Sequence, residues 1–370
     1  MKVFYCDHCH SQSFFENVKC LSCGFTLGYL PDFHVMSALE SAQADEWRAL
    51  YEPAGRGLYR QCGNGKQYEI CNWLVPVEDP NPLCRACRLN SVIPELNVVG
   101  NLDRWHKLEL AKRRVIDTVL RLGLSVDGVA AENRPALRFS FLGTPDGGPA
   151  PLTGHLEGVI TLNIAEADED ERERRRLQLR EPYRTLVGHF RHEIAHYFWD
   201  QLILGTPRIE SFRKVFGDET THYEAALNAY YQQGPPADWS ARFVTPYASS
   251  HPWEDWAETW AHYLHIMDTI ETAGAFGMEL HSDNPNSTGS NVDLRQVAGA
   301  DASFEVVMAQ WPPLTCALNE LNRGMGMADL YPFAIPAPAI EKLRFIDELI
   351  QQVRTATPVA SNRSAPPHHP

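Results

Sequence analysis

His192-Glu193-Ile194-Ala195-His196 lies near the middle of a chain of 370 residues, and the fold can be predicted outward from this motif. Pro182 and Gly205 bracket a segment whose apolar residues recur every three to four positions, so the sequence predicts one helix between them. The two histidines lie one turn apart on that helix, and both imidazoles can therefore reach a single metal ion. Glu193 is rotated by about 100° from His192. This pattern predicts a zinc site on a helix.

The same residues predict hydrolytic chemistry. A zinc ion held by His192 and His196 would lower the pKa of its bound water and polarise a carbonyl group. Glu193 would take the proton from that water and pass it to a leaving amine. The motif therefore predicts a zinc-dependent peptidase, with Glu193 as its catalytic carboxylate.

The third zinc ligand has to come from another segment. Asp200 lies about 12 Å along the helix from His192, which is too far for its short side chain. Trp199 and Leu202 occupy positions where the extended pattern of this motif has glycine and histidine, so that pattern is excluded.

The best source of this ligand is an acidic helix predicted to begin at Pro252. Glu254 and Glu258 share one face at i and i+4, so one carboxylate can bind zinc while the other hydrogen-bonds a ligand imidazole. Glu254 is the candidate ligand, with Asp255, Glu258 and then His262 as alternatives. Glu258 and Asp255 are the candidate supporting residues around the ligands.

Two long, tryptophan-rich runs, Phe190–Leu202 and Tyr247–His265, make the pattern more specific. They resemble the bacterial family of zinc-binding metallopeptidases that carries an N-terminal zinc ribbon. The resemblance covers nearly the whole chain except its tail and implies an enzyme of the zincin fold. In similar enzymes the first glutamate of the acidic helix is the third ligand, which matches Glu254. The tyrosine seven residues earlier faces the zinc, which matches Tyr247, and its phenol would donate to the developing oxyanion.

Eight of the nine cysteines lie in the first hundred residues. A tight set, with two C-x-x-C pairs, comprises Cys6, Cys9, Cys20 and Cys23. A looser set comprises Cys62, Cys71, Cys84 and Cys87. Each set predicts a tetrahedral structural zinc site. The alternative for the second set is two buried thiols beside one incomplete pair.

The charge of the chain argues against nucleic acid as a partner. The formal net charge is -14 at pH 7, and residues 1–100 hold eight basic against eleven acidic side chains. A ribbon that binds nucleic acid carries an excess of basic residues. We therefore expect a structural role for this region or a protein partner that docks on it. No apolar run is long enough for a signal peptide or a membrane span, which predicts a soluble cytoplasmic protein without membrane contact.

The predicted fold is α+β. Residues 1–100 form the zinc-ribbon region, residues 101–355 a mostly helical zincin-like metallopeptidase domain with a small sheet, and residues 356–370 a disordered tail. Strands are predicted at 138–142 and 158–164, and helices at 303–309, 313–323 and 336–355.

Two smaller predictions concern the metallopeptidase domain. Val159–Ile164, the last strand before the metal helix, is the candidate edge to which an extended peptide could add. The charge-rich segment Glu166–Glu181 is predicted to be solvated and without a chemical role.

One competing hypothesis remains. The chain could be a zinc-stabilised protein-binding module without catalysis, in which the zinc at His192, His196 and Glu254 is structural. A structural site normally closes its fourth coordination position with a side chain, whereas a catalytic site leaves it open. The nearby candidates to close it are His189, His251 and His262.

Overall fold

The structure is a computed structural model of the chain. It describes residues 3–356 except 56, 129–133, 145–147, 149–150, 152, 180–183, 282–291 and 298–301. The architecture is α+β, as predicted: a sheet and two cysteine clusters at the N-terminus precede a mostly helical region with small sheets. The predicted disordered tail lies outside the described residues, apart from Ala356, which ends the last helix.

The chain forms two compact units. The first comprises Val3–Asn90, Trp105–Ser125 and the described residues from Leu349 onward. The second comprises Ser91–Arg104 and Val126–Glu348. The predicted division of the chain at residues 100 and 355 stays a prediction.

The first unit is built on a five-stranded antiparallel sheet. The strands are paired in sequence order, so each hairpin adds the next strand at the growing edge. Leu30, Leu39, Ala49, Tyr59 and Leu74 form the buried cluster of this sheet. The elements are β1 (Phe4–Tyr5) and β2 (Gln12–Ser13), which pair with each other, then β3 (Thr26–Leu30), β4 (Val35–Ser41), β5 (Glu46–Ala49), β6 (Leu58–Gln61), α1 (Gly63–Tyr68) and β7 (Leu74–Pro76).

A four-stranded sheet has the order β10-β11-β9-β8. Its strands are β8 (Asn90–Val92), β9 (Arg138–Leu142), β10 (Gly154–Leu156) and β11 (Val159–Asn163), and the helix α2 (Asn101–Arg121) lies between the first two in sequence. The strands predicted at 138–142 and 158–164 are therefore present.

The prediction that Val159–Ile164 forms a free edge is wrong. β11 pairs with β9 on one side and with β10 on the other. The reason is a tight turn at Glu157 and Gly158, whose φ angles of 48° and 81° fold the chain back so that β10 covers β11. Among the described strands, β10 and β8 are the two edges of this sheet.

The remaining elements are mostly helical. They are α3 (Glu169–Leu179), α4 (Leu186–Leu202), α5 (Ile209–Phe216), α6 (Tyr223–Gln233), α7 (Pro252–Ala275), the paired strands β12 (Glu279–Leu280) and β13 (Val292–Asp293), α8 (Phe304–Gly324) and α9 (Ala337–Ala356). Among the described residues, no helix combines the length and the apolar character needed to cross a lipid bilayer.

The helices predicted at 303–309 and 313–323 are one continuous helix, α8, with Pro312 and Pro313 inside it. Proline removes a backbone donor and normally ends a helix. The buried side chains of Trp311 and Leu314 flank the two prolines. Their packing stabilises the helix across the interruption.

The helices α4 and α7 pack together and carry the predicted metal ligands. The indole of Trp256 donates to the backbone oxygen of Ala195 at 2.8 Å, and the rings of Phe198 and Trp260 stack at 5.2 Å. Each of these four residues is almost completely buried. This contact fixes the two ligand-bearing faces against each other.

Both helices begin with a side-chain cap. The hydroxyl of Thr185 accepts a hydrogen bond from the backbone N–H of Gly188 at 3.0 Å, so α4 begins at Leu186. The predicted first residue, Pro182, lies outside the described residues. The imidazole Nδ1 of His251 accepts from the N–H of Trp253 at 3.1 Å, and α7 begins at Pro252 as predicted. These caps stabilise exposed N–H groups of each first turn.

Candidate metal centre and active-site cleft

His192, His196 and Glu254 bring one ligand atom each to a common point. Glu254 Oε2 lies 3.1 Å from His192 Nε2 and 3.8 Å from His196 Nε2. Zinc binds imidazole nitrogen at about 2.0–2.1 Å and carboxylate oxygen at about 2.0–2.2 Å, which places tetrahedral ligand atoms about 3.4 Å apart. Two imidazoles and one carboxylate at these separations fit a zinc ion.

Tyr223 holds the carboxylate of Glu254. Its hydroxyl donates to Glu254 Oε1 at 2.6 Å, which leaves Oε2 facing the two histidines. Burial alone would raise the pKa of Glu254, but His196, His192 and the Tyr223 hydroxyl lower it to about 2. Tyr223 belongs to α6 and was not found from the sequence, because no fixed spacing links it to Glu254.

Glu258 orients His192, one of the three predicted ligands. Its Oε1 lies 2.6 Å from His192 Nδ1, and its Oε2 accepts a hydrogen bond from the hydroxyl of Thr245 at 2.7 Å. With Nδ1 engaged in this way, Nε2 is the nitrogen of His192 that faces Glu254. The structure thus places Glu258 next to the imidazole of His192, as its spacing from Glu254 predicted.

The structure does not place Asp255 with the ligands, contrary to the expectation that it supports them. Asp255 is 1% exposed and contacts Lys342 Nζ at 2.6 Å and the Thr259 hydroxyl at 3.4 Å. Burial raises its pKa to about 7, although Lys342 opposes the shift. The cause is helix geometry, because one residue beyond Glu254 points about 100° further round α7.

Glu193 is held by a second carboxylate through a histidine. His189 Nε2 lies 3.2 Å from Glu193 Oε1, and His189 Nδ1 lies 2.6 Å from Glu166 Oε2. The other oxygen of Glu193, Oε2, is buried and accepts no hydrogen bond from the described residues. One oxygen is therefore anchored while the other remains for chemistry.

The prediction that the charge-rich segment is solvated is wrong for its first residue. Glu166 is 1% exposed, and Arg175 and Arg184 contact its carboxylate at 3.0 and 3.3 Å. Burial opposes ionisation of both Glu166 and His189. His189 and the two arginines outweigh burial at Glu166 and lower its pKa to about 2. Glu166 and Glu193 outweigh burial at His189 and raise its pKa to about 9.

The three histidines that could close the fourth coordination position all have other contacts. His189 bridges Glu166 and Glu193, and His251 caps α7 and lies 3.0 Å from the backbone oxygen of Thr221. His262 Nδ1 lies 2.6 Å from the hydroxyl of Tyr331. Within the described part of the chain, His192, His196 and Glu254 form a metal group without a fourth His, Cys, Asp or Glu.

A cleft of about 360 Å³ opens onto this centre. His192 and Glu193 line it on the α4 side, Glu258 lines it on the α7 side, and Tyr247 lies over them. The ring centroid of Tyr247 is 6.0 Å from that of His192. Burial, and secondarily the charge of Glu254, raises the pKa of Tyr247 and keeps the phenol protonated.

The predicted cysteine sets form two four-sulfur clusters. The Sγ atoms of Cys6 and Cys23 are 3.8 Å apart, and those of Cys9 and Cys20 are 3.6 Å apart. In the second cluster, those of Cys71 and Cys84 are 3.7 Å apart. Four sulfurs at about 2.3 Å from one zinc lie about 3.8 Å from each other. Both clusters therefore fit zinc, and the alternative of an incomplete second set is excluded.

Comparison with known proteins gives two family matches. Residues 101–349 match the model of the family described as "Putative zinc-binding metallo-peptidase", and residues 3–98 match a zinc-ribbon domain. Two curated proteins, both described as uncharacterized, are 37% identical to this chain over 354 residues, one from Mycobacterium bovis and one from Mycobacterium tuberculosis. The match covers 95% of this chain and 96% of each relative. No solved structure matches the chain significantly.

Proposed function

The chain belongs to the zinc-binding metallopeptidase family. We propose that it is a zinc-dependent peptidase that hydrolyses peptide bonds. The observation that carries the proposal is the set of three candidate ligands, of which His192 lines the cleft together with Glu193. Three ligands and an open fourth position are typical of catalytic zinc, whereas structural zinc is closed by four side chains.

Zinc bound by His192, His196 and Glu254 would act as a Lewis acid on the scissile carbonyl and would lower the pKa of water. Glu193 takes the proton from the attacking water and then gives it to the leaving amine. His189 anchors one oxygen of Glu193, so the free oxygen keeps its position during both transfers. Because this contact already holds Glu193 in one orientation, the base loses less conformational freedom on reaching the transition state.

Tyr247 and Glu258 complete the proposed machinery. The phenol of Tyr247 lies in the cleft beside His192 and would donate to the oxygen that becomes negative during attack. A fixed donor of this kind stabilises the transition state more than the ground state. Glu258 holds the ligand imidazole of His192 in one orientation.

The substrate is an extended peptide or protein segment. The edge strand β10 follows Thr153, whose side chain lines the cleft. An extended peptide could add to β10 through main-chain hydrogen bonds. We therefore assign to β10 the peptide-binding role that the sequence predicted for β11.

The rest of the proposal concerns the metals and the compartment. We expect three zinc ions per chain, one catalytic and two in the cysteine clusters, because three separate ligand groups fit the metal. Thiolate clusters persist in a reducing compartment, which supports a location in the cytoplasm. We also propose that the metallopeptidase region has the zincin fold.

The test is cleavage of a proteome-derived peptide library by the zinc-loaded protein. Glu193→Gln should retain its zinc and its fold but lose activity by about 100- to 10,000-fold, the range contributed by general acid–base groups. Glu341→Gln, which makes the same change at a side chain 68% exposed, is the control.

Two results would contradict the peptidase proposal. One is full cleavage by a zinc-loaded Glu193→Gln protein, which would show that another group is the base. The other is absence of cleavage by the wild type with its metal content confirmed. That second result would favour a zinc-stabilised protein-binding module.

A further inference from the structure

One end of the cleft is walled by aromatic rings. The centroid of the Tyr331 ring lies 5.1 Å from that of Phe333, 5.4 Å from that of His265 and 5.5 Å from that of His262. Trp311 packs on Tyr331 at 4.8 Å. A hydrogen bond of 2.6 Å between the Tyr331 hydroxyl and His262 Nδ1 locks two of the rings together. The hydrogen bond therefore restrains these two rings.

The imidazoles in this wall are uncharged near neutral pH. Burial, together with the charge of Arg191, lowers the pKa of His265 to about 3. Burial lowers the pKa of His262 to about 4, although Glu258 opposes the shift. Arg191 itself is paired with Asp268. Arg191 also lines the cleft, and its guanidinium lies 3.3 Å from Nδ1 of His265, so this end presents neutral rings beside one paired cation.

The ring-lined end begins one helical turn from the metal centre. Ala261 also lines the cleft and follows Glu258, the partner of His192, by three residues on α7. Three residues correspond to about 4.5 Å along a helix axis. The small side chain of Ala261 leaves room at this point of the cleft, and a larger side chain here would occupy part of that space.

We propose that this end of the cleft is a specificity pocket for an aromatic or large apolar substrate side chain next to the scissile bond. Its walls are Ala261, His262, His265, Tyr331 and Phe333. Aromatic side chains gain both apolar burial and favourable ring–ring contacts in such surroundings. The assignment of this side chain to a substrate rests on the proposed peptidase function, but the pocket itself can be tested without cleavage.

The test uses two hydroxamic acids, which chelate zinc and need no turnover. Acetohydroxamic acid probes the metal alone, and 3-phenylpropanohydroxamic acid adds a phenyl group that can enter the pocket. Their dissociation constants are measured on the zinc-loaded full chain by calorimetry. We expect the phenyl compound to bind at least about tenfold more tightly, as burial of one aromatic group implies.

Two variants locate the pocket. Ala261→Phe should remove the gain from the phenyl group and leave the affinity for acetohydroxamic acid within about twofold. Phe333→Ala should also reduce the gain, and it keeps the proposal testable if Ala261→Phe does not fold. Phe276→Ala, at a ring 55% exposed outside the cleft lining, is the control and should change neither affinity.

Each outcome bears on one proposal or on both. Equal affinity of the two compounds for the wild type, or a gain that persists in both variants, would overturn the pocket. Failure of both compounds to bind would overturn the open metal site and the pocket with it. Selective binding of the phenyl compound by a protein that cleaves no peptide would support the pocket and overturn the peptidase function.

Discussion

The carboxylate of Glu258 lies 2.6 Å from Nδ1 of His192, and both side chains border the cleft. The contact fixes which nitrogen of His192 faces the proposed metal site. We expect Glu258→Gln to lower the affinity of the proposed catalytic site for zinc by about 10- to 100-fold. This is the usual effect of losing a hydrogen-bond partner of a ligand histidine. Competition against a fluorescent chelator measures this affinity. The chain should remain folded, because Gln can still accept from the Thr245 hydroxyl.

The control for this prediction is again Glu341→Gln, an exposed change of the same charge. Its zinc affinity should equal that of the wild type. An unchanged affinity in Glu258→Gln would show that the contact does not orient His192.

We propose that, of the neighbouring residues Glu254 and Asp255, the first binds zinc and the second has a structural role. Glu254→Gln should remove one zinc ion per chain, because its Oε2 faces the two histidines. Asp255→Asn should retain all the zinc and lower stability instead, because it breaks the buried contact with Lys342. Elemental analysis of zinc together with thermal melting distinguishes the two effects. If only Asp255→Asn lost zinc, Asp255 would be the ligand and Glu254 the structural carboxylate.

Local helix geometry explains which parts of the site were predictable. His192 and His196, and likewise Glu254 and Glu258, are paired at i and i+4, so the sequence alone places each pair on one face. Asp255 was misplaced because its face packs against Lys342, which is far away in sequence. Helical spacing gives the direction of a side chain but not its partner.

The missed residues come from other elements. Tyr223 reaches Glu254 from α6, and Glu166 reaches His189 from the chain that precedes α3. Glu166 also stands in a segment whose density of charges is typical of solvent-exposed chain. Its burial depends on Arg175, Arg184 and His189, and only the folded structure brings them to it. The edge position of β10 was missed for a related reason, since a three-residue strand gives no periodic signal.

The cysteine clusters predict a fixed metal count. The wild type should contain three zinc ions per chain, and Cys9→Ser and Cys84→Ser should each lose one. Cys316→Ser, at an exposed cysteine outside both clusters, is the control and should lose none. Elemental analysis after dialysis gives the count. Retention of three zinc ions by Cys84→Ser would contradict the second structural site.

The contact between Glu166 and His189 predicts a pH-dependent stability. The pKa of His189 rises from its ordinary 6.5 to about 9, so its contribution is complete below pH 6.5 and disappears as the pH rises through 9. The pKa of Glu166 falls from 4.5 to about 2, so its contribution is complete above pH 4.5 and disappears as the pH falls through 2. Both contributions are complete between pH 4.5 and 6.5.

Glu166→Gln tests this window. It leaves partly buried cations without their counter-charge, which should cost on the order of 3 kcal/mol near pH 6. The loss relative to the wild type should be smaller at pH 9.5, where His189 is neutral. Melting temperatures of the zinc-saturated proteins at both pH values provide the comparison, and the exposed change Glu173→Gln should have little effect at either. A loss that is equal at both pH values would contradict a charged His189.

Tyr247 and Tyr223 allow the same chemical change to test two different roles. Removal of the Tyr247 hydroxyl should lower kcat by about 100- to 1,000-fold, the cost of one oxyanion donor, and leave zinc affinity unchanged. Removal of the Tyr223 hydroxyl should instead lower the zinc affinity by about 10-fold or more, because Glu254 loses the donor that holds its Oε1. Zinc titration and turnover at saturating zinc are measured for both Tyr→Phe variants, with Tyr5→Phe at an exposed ring as control. If Tyr247→Phe lowers the zinc affinity as strongly as Tyr223→Phe does, the phenol of Tyr247 supports the metal site and does not donate to the oxyanion.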